Sequence, residues 1–386
     1  MGKGFDPVAL RHLLASMRRD VDNELYDGAV IRVARDGEIA LDEAIGFADR
    51  PAGRAMAKDD IFKVFSLTKA FTNALILRAI DLGLLALTTP VVEVLPEFWG
   101  KDRFRSGRKN LVNIGHLLTH RAGLSPTPTP VGYDVIHDLP TVIVAICEMD
   151  VIGQPGTEFN YSPTLNHALM GEIARRVYGA ETFRDLARTE IFEPLGMADS
   201  SFGVSERQKP RLVPVRPAMP AASWITDDDT RLVAAAADRP ESEMPWVGSV
   251  TTVPDVFAFA EMLRLGGTAN GHRLLSPAIL DKATTLQTGS MINELYRHLA
   301  EPRGWETPPG NMGLGFALGG AGLAITQFGT LSSPRAYGNF GAGSTLFWVD
   351  PERQITFVCL TAKVIEEGNN IARFQRISDL VLSAAL

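Results

Sequence analysis

The sequence predicts an α/β protein of the α+β type, with one antiparallel sheet built from both ends of the chain and an all-helical insertion between them. Runs rich in β-branched and aromatic residues, which are typical of strands, occur near both ends of the chain. Helical spacing of apolar residues dominates the central part. Amphipathic patterns at the two ends predict terminal helices that flank the sheet.

The N-terminal part is predicted to supply one helix and one hairpin. Residues 8–21 are amphipathic, and one face of this helix bears Leu10, Leu13, Leu14 and Met17. Two strand patterns follow at 29–34 and 39–45. The turn pair Asp36-Gly37 lies between them, and this arrangement is typical of a β-hairpin.

The central part is predicted to be helical. One helical pattern begins at Lys69 and continues to Leu84, and further patterns occupy 112–120, 141–149, 165–177 and 183–191. Proline, alanine and aspartate crowd residues 210–245, which indicates loops. We therefore expect three segments: an N-terminal part of the α/β domain at 1–65, a mainly helical domain at 66–244, and a C-terminal part of the α/β domain at 245–386.

The C-terminal part is predicted to return to strands. Helical patterns at 256–265 and 277–285 come first. Strand patterns then follow at 313–316, 344–349 and 355–361, and a helix at 372–386 closes the chain.

Composition limits the class of partner. The chain has 386 residues, 45% of them hydrophobic, and a formal net charge of −7. A nucleic-acid-binding face needs a basic excess, so no nucleic-acid partner is expected. No apolar run reaches the ~18 residues of a membrane-spanning helix, and no signal peptide is visible. Cys147 and Cys359 lie in apolar runs typical of buried, reduced thiols, so we expect a cytoplasmic location.

A Ser-x-x-Lys pair is the first chemical signal. Ser66 and Lys69 share one helical face, and a lysine with a lowered pKa can activate a serine hydroxyl. A second pair, Ser106 and Lys109, lies in a charged segment typical of a solvated loop. Ser66 instead opens a long apolar helix, where burial shifts pKa values, so Ser66 is the candidate nucleophile. An ordinary helix N-cap is the alternative.

Tyr161 is the second candidate. It lies between the turn pair Pro155-Gly156 and Ser162-Pro163, a pair that favours the start of a helix. From a loop immediately before a helix, a tyrosine hydroxyl can reach into a cleft. Packing as a hydrophobic staple is the alternative.

A glycine-rich segment at 337–351 is the third signal. Glycines before and inside a strand permit close approach of the backbone to a ligand. Such an edge can present a backbone N–H group to a developing oxyanion. A bulged edge strand is the alternative.

Together and in this order, these elements resemble the serine β-lactamase and penicillin-binding superfamily, with its Ser-x-x-Lys, middle and Lys-Thr-Gly motifs. The nearer resemblance is to the class C β-lactamase-like branch, especially the family VIII carboxylesterases and related transesterases. Supporting segments lie at 114–124, 194–197 and 313–316. The resemblance extends from Ala29 to Thr361.

The resemblance implies an acyl-enzyme mechanism with no cofactor. Ser66 matches the nucleophile, and Lys69 and Tyr161 match the residues that share the base and acid roles. The backbone N–H groups of Ser66 and Ala342 match the oxyanion hole. The implied substrate-binding residues are Asn339, Phe340 and Gly341.

No metal or nucleotide site is expected. His116 and His120 are four residues apart, but no His-Glu-x-x-His motif is present, so a structural pair is favoured. The Gly-x-Gly-x-x-Gly pattern of dinucleotide sites is missing from the glycine-rich stretch 319–322.

Two positions depart from the superfamily pattern. Pro163 stands where the middle motif has an asparagine, and Asn339 stands where lysine, histidine or tryptophan is usual. Both changes remove groups that recognise a β-lactam and leave ester chemistry intact. The sequence thus favours a carboxylesterase acting on small-molecule esters with small or medium acyl groups. An acyltransferase is the alternative, a β-lactamase or D-amino peptidase is less favoured, and a non-catalytic binding module is least favoured.

Overall fold

The computed structural model describes residues 4–101, 107–221, 223 and 225–386. Its helices, in chain order, are α1 Pro7–Asp22, α2 Lys69–Asp81, α3 Val91–Val94, α4 Ile114–Leu118, α5 Leu139–Glu148, α6 Leu165–Val177, α7 Phe183–Ala187, α8 Glu193–Leu195, α9 Asp227–Ala237, α10 Val253–Arg264, α11 Pro277–Ala283, α12 Glu294–Ala300 and α13 Glu367–Ala384. Its strands are β1 Gly28–Arg35, β2 Glu38–Asp49, β3 Arg54–Ala55, β4 Phe62–Lys63, β5 Ser201–Phe202, β6 Pro217–Ala218, β7 Ser249–Thr251, β8 Thr268–Ala269, β9 His272–Arg273, β10 Ala317–Leu318, β11 Tyr337–Gly341, β12 Thr345–Asp350, β13 Ile355–Ala362 and β14 Val364–Ile365.

The main sheet joins the two ends of the chain. Its seven strands run in the order β10-β11-β12-β13-β1-β2-β3, and every neighbouring pair is antiparallel. Strand β13, from the C-terminal part, pairs with β1, from the N-terminal part, along its whole length, with Val30 opposite Leu360. The predicted antiparallel sheet built from both ends is therefore confirmed.

Both faces of this sheet are covered. Ile31 and Phe357 point to one face, where they pack with α1 and α13 in one hydrophobic cluster. Val30 and Val358, one residue along each strand, belong to the other cluster, with α2 and α10. Because side chains alternate along a strand, a sheet with two covered faces is apolar at every position. All eight residues of β13 are accordingly buried.

Helix α2 is buried on nearly all sides. Ten of its thirteen residues are buried, including Lys69 and Asn73. A helix that is apolar all round belongs in a core. Its N-terminal end therefore lies in the core beside β11.

The central segment departs from the prediction in two places. It contains the short strands β5 and β6 in addition to its helices, and these pair with β7 and β14. Helix α9 forms inside the stretch 210–245 that was expected to be loop. A capping box explains this helix, since Thr226 and Asp229 each accept a hydrogen bond from the other's backbone N–H.

Two boundaries near the candidate motifs also differ. Residues 313–316 are not a strand, because Gly315 has a φ of +83°, which an extended strand does not adopt. The helix after Tyr161 begins at Leu165 with Thr164 as its N-cap, and not at Ser162-Pro163. Tyr161 thus lies in a loop a few residues before α6.

Within the described part of the chain, no helix has both the length and the apolar character needed to cross a membrane. Cys147 and Cys359 are buried and free of any disulfide, as the sequence predicts.

Candidate active site

Ser66 lies in a tight turn at the start of α2. The chain leaves β4, forms a 3-10 turn over Phe65–Thr68, and enters α2 at Lys69. Phe65 has a φ of +46°, a conformation that costs a non-glycine residue free energy and that clusters at functional sites. The Ser66 side chain is half-buried, whereas Phe65 and Leu67 beside it are buried. This turn therefore presents the serine hydroxyl at an opening in the core.

Lys69 reaches the serine from the first turn of α2. Its Nζ donates hydrogen bonds to Ser66 Oγ at 3.0 Å and to the Trp246 carbonyl at 2.8 Å. The side chain is buried, and this burial holds the pKa of Lys69 well below its ordinary value. A neutral amine at this position has a lone pair that can accept a proton from a serine hydroxyl.

Tyr161 contacts the same oxygen atom, although it lies far from Ser66 in the sequence. Its hydroxyl donates to Ser66 Oγ at 3.1 Å, across a separation of 95 residues. Burial raises the pKa of Tyr161 to about 12, and the negative charge of Glu367 acts in the same direction. The Ser66–Lys69 pair and Tyr161, which were selected separately from the sequence, therefore meet at one oxygen atom.

His120 holds the Tyr161 segment in place. Its Nδ1 accepts from the Ser162 N–H at 3.1 Å, and its carbonyl accepts from the Asn160 N–H at 2.9 Å. Its ring lies 4.7 Å from the Tyr161 ring. Burial, with a contribution from Lys69, lowers the pKa of His120 to about 3, so the ring is neutral. His120 was expected from the sequence only as one of a structural pair with His116, and this positioning contact was not predicted.

A buried polar network lies behind Lys69. His167 Nε2 donates to Asn73 Oδ1 at 3.0 Å, and Asn73 Nδ2 donates to the Gly315 carbonyl at 2.7 Å. A Cβ atom on Gly315 would lie 2.4 Å from Asn73 Cγ, so only glycine fits there. The network thus ties α2 to the segment 313–316. Asn73 and His167 were not predicted, although Asn73 follows Lys69 by one helical turn.

The predicted substrate-binding residues of β11 have different environments. Asn339 is 8% exposed, and its amide faces the Ala70 N–H and the Gly338 carbonyl, each at 3.2 Å. The Asn339 amide bonds the protein backbone, and its role in substrate binding stays a prediction. Phe340 is half-buried, and its ring stacks on that of Tyr296 at 6.5 Å.

Gly341 brings β11 against the serine turn. A Cβ atom there would lie 2.1 Å from the Val64 carbonyl oxygen and 3.0 Å from the Leu67 nitrogen. Thr345 Oγ1 also donates to the Val64 carbonyl at 3.0 Å. The next residue, Ala342, lies in the turn between β11 and β12. Close backbone contact therefore places the turn that contains Ala342 beside Ser66.

We expect Gly341→Ala to destabilise the protein by about 1–3 kcal/mol, the usual cost of forcing an extra methyl group into a packed site. The added carbon would push β11 away from the Ser66 turn. Thermal unfolding followed by circular dichroism measures this change. Gly322→Ala is the matched control, because its nearest contact would be 3.9 Å away. Equal unfolding midpoints for the two variants would contradict this account of the close approach.

Lys109 of the alternative Ser-x-x-Lys pair is separate from this site. Ser106 lies outside the described residues. Its partner Lys109 is buried, donates to the Cys147 carbonyl at 2.6 Å, and lies 5.1 Å from the centre of the Phe98 ring.

Among the described residues, no group of three or more His, Cys, Asp and Glu side chains could hold a metal ion. His116 Nδ1 instead contacts the Leu111 carbonyl at 3.1 Å.

Fold and site together define a serine enzyme of the β-lactamase-like class. The model of the Beta-lactamase family matches residues 15–382, and the chain belongs to this family. It is thus a serine hydrolase of the β-lactamase-like superfamily, as the sequence predicts.

Three known proteins show the range of this similarity. Esterase EstB of Burkholderia gladioli is 34% identical over 53% of this chain, a match that spans 56% of its own length. Acyltransferase calJ of Penicillium decumbens is 26% identical over 79% of this chain and 76% of its own length. A crystal structure described as a family VIII carboxylesterase superposes with a TM-score of 0.75 and 20% identity, covering 99% of each chain. At that identity the structural likeness supports the fold alone.

Proposed function

We propose that the protein is a carboxylesterase that cleaves small or medium acyl esters through an acyl-enzyme on Ser66. One observation supports this most strongly. The hydroxyl oxygen of Ser66 lies within hydrogen-bond distance of both the Lys69 amine and the Tyr161 hydroxyl. A nucleophile beside a base, with a second proton-handling group in reach, is the arrangement that acyl transfer requires. The esterase name of the Burkholderia gladioli relative agrees with this proposal.

In the acylation step, Ser66 Oγ attacks the ester carbonyl carbon while the neutral Lys69 amine takes the hydroxyl proton. A negative charge develops on the carbonyl oxygen. This oxygen accepts hydrogen bonds from the backbone N–H groups of Ser66 and Ala342. Ser66 is the second residue of its 3-10 turn, so its N–H has no acceptor inside that turn.

Collapse of the tetrahedral intermediate breaks the bond to the alcohol. The leaving alkoxide takes a proton from Tyr161, and Lys69 returns the serine proton to the Tyr161 oxygen. A high Tyr161 pKa keeps the phenol protonated before this step. In deacylation, water attacks the acyl-enzyme and the same groups act in reverse, which releases the acid and restores the Ser66 hydroxyl.

Simple esters should be far better substrates than β-lactams. Pro163 offers no side-chain amide to a β-lactam acylamide, and the Asn339 amide is buried against Ala70 and Gly338. Charge-assisted hydrogen bonds contribute about 1.5–3 kcal/mol and neutral ones about 0.5–1.5 kcal/mol. A cephalosporin would form neither of these contacts in this site. We therefore expect its kcat/KM to be lower than that of an ester by on the order of a hundredfold or more.

The test compares kcat/KM for p-nitrophenyl butyrate with kcat/KM for a chromogenic cephalosporin, both measured in the same buffer. Ser66→Ala is the control that removes background hydrolysis from both values. A cephalosporin turned over as well as the ester would reverse the choice of esterase over β-lactamase.

Transfer of the acyl group to an alcohol or amine is the second candidate. The acyltransferase name of the Penicillium decumbens relative favours it. Both activities share the acyl-enzyme and differ only in the acceptor.

Intact mass spectrometry after mixing with p-nitrophenyl acetate, butyrate and octanoate tests both. We expect one acyl adduct per chain that decays in buffer alone. Decay that requires an added alcohol or amine would identify an acyltransferase, and the absence of any adduct and of p-nitrophenol release would contradict both candidates.

We also propose a cytoplasmic location. The two buried, unpaired cysteines support a compartment in which thiols stay reduced.

A further inference from the structure

A cavity of about 610 Å³ is lined by residues of strand β4, of helix α9 and of the segment 204–215. Among the described residues, its lining contains none of the four groups proposed for catalysis, Ser66, Lys69, Tyr161 and Ala342. The volume falls within the range of about 300–1,000 Å³ that is typical of small-molecule sites. The cavity is therefore large enough for a small organic ligand and has a lining of its own.

The charges around this cavity are mostly positive. Lys63, Lys209 and Arg231 line it, and in the described part of the chain Asp238 is the single carboxylate that faces them. This local excess contrasts with the formal net charge of −7 of the whole chain. A concave surface with an excess of one sign of charge attracts ligands of the opposite sign. The lining thus favours an anion.

Lys63 is the buried cation of this lining. Its side chain is 6% exposed, and its Nζ lies 2.7 Å from Asp238 Oδ1, on a side chain that is 44% exposed. The Lys63 backbone is fixed by the pairing of β4 with β7, where Lys63 lies opposite Val250. An ammonium group has three N–H donors, so the Lys63 amine can bind Asp238 and an anionic ligand together.

The two other cations are more exposed. Lys209 pairs with Glu206, and Arg231 pairs with Asp227 at 3.4 Å and with Asp228 at 2.9 Å. These three acidic residues do not line the cavity. Because solvent-exposed ion pairs contribute little free energy, an anion in the cavity can replace them as the partner of either cation.

The rest of the lining is apolar. It consists of aliphatic side chains and one proline, namely Val204, Leu212, Pro214, Val215, Ala234 and Ala235. A hydrocarbon chain placed against these residues is stabilised by its removal from water, whereas an inorganic anion gains nothing from them. An anion that also carries a hydrocarbon chain therefore matches both parts of the lining.

We propose that this cavity is a binding site for a carboxylate with a short hydrocarbon chain. The head group lies among Lys63, Lys209 and Arg231, and the chain lies along the apolar residues. The acid that hydrolysis at Ser66 would release belongs to this chemical class, but binding in the cavity does not depend on the proposed esterase function.

Isothermal titration calorimetry with octanoate, at pH 7 and low ionic strength, tests this proposal. We expect one octanoate per chain. Octan-1-ol has the same chain without the charge, and acetate has the charge without the chain. Each should bind at least fivefold more weakly than octanoate, because each lacks one of the two matching parts.

Variants of the lining separate this cavity from the rest of the surface. Lys63→Met should weaken octanoate binding at least tenfold, as expected when a charge-assisted hydrogen bond is lost. The double variant Lys209→Gln with Arg231→Gln changes only exposed side chains and should weaken it about threefold to tenfold. Arg188→Gln is the matched control. Its side chain is 52% exposed against 54% for Arg231 and also pairs with two acidic residues, so octanoate binding should be unchanged.

A titration after treatment with a fluorophosphonate tests whether octanoate occupies the serine site instead. Treated and untreated wild type should have the same Kd, and loss of binding on treatment would overturn the inference. Equal affinity for octanoate and octan-1-ol or acetate would overturn it as well, and so would an unchanged Kd in the double variant or equal weakening in Arg188→Gln.

This inference and the proposed function fail in different ways. A protein that neither reacts with the fluorophosphonate nor hydrolyses p-nitrophenyl butyrate would contradict the esterase. Octanoate binding that still required Lys209 and Arg231 would uphold the cavity as a carboxylate site. Ester hydrolysis without any octanoate binding would overturn this inference alone.

Discussion

Ser66→Ala should abolish ester hydrolysis, with kcat/KM for p-nitrophenyl butyrate falling on the order of a thousandfold or more, as expected when a nucleophile is removed. The physical reason is that no other hydroxyl lies between Lys69 and Tyr161 in the described structure. A fluorophosphonate probe should label wild type once. Peptide mapping should place the label on the peptide containing Phe65-Ser66-Leu67.

Ser106→Ala is the matched control for this prediction. It removes the serine of the other Ser-x-x-Lys pair, whose lysine donates to the Cys147 carbonyl far along the chain from Ser66. Its activity should stay within about twofold of wild type, as for a surface substitution. Labelling of Ser106, or full activity in Ser66→Ala, would show that the nucleophile has been misassigned.

Lys69→Ala and Tyr161→Phe should each lower kcat/KM by on the order of a hundredfold or more, the usual contribution of a positioned acid or base. Both groups act on the proton of Ser66 Oγ, so the fold losses of the two single variants should not multiply in the double variant. The double variant should be little worse than the poorer single variant, as in other groups that work as a unit. Steady-state kinetics on the three variants measure this coupling.

Tyr178→Phe is the matched tyrosine control. Its hydroxyl donates to the Leu75 carbonyl at 3.2 Å and does not contact Ser66, so its loss should leave kcat/KM close to that of wild type. Near-normal turnover in Tyr161→Phe would mean that Tyr161 only packs as a hydrophobic staple. Fully multiplicative losses in the double variant would mean that Lys69 and Tyr161 act independently.

Local patterns in the sequence were sufficient for the four longest strands of the main sheet and for the terminal helices. Strands β1, β2, β12 and β13 lie where runs of β-branched and aromatic residues predict them. Strand β13 is apolar throughout because both of its faces are buried. Helix α9 was missed, although Thr226 and Asp229 are spaced as in a capping box. The short strands β5 and β6 have no local signal, since each exists only through pairing with a distant strand.

Within the site, the sequence by itself determined the Ser66–Lys69 pair, because residues three apart meet on one helical turn. Tyr161, though named from its motif, could be placed beside Ser66 only by the tertiary structure, which closes a separation of 95 residues. The same holds for His120, which carries no local signal for its contacts with the Tyr161 segment.

Burial is the property that only the tertiary structure decided. Asn339 occupies the motif position expected to bind substrate, yet the packing of β11 on α2 buries its amide against the backbone. The lowered pKa of Lys69 and the raised pKa of Tyr161 have the same origin, since desolvation depends on what the rest of the chain packs around each group. Sequence spacing therefore determined the Ser66–Lys69 pair, and three-dimensional packing determined which distant groups join it and how exposed each group is.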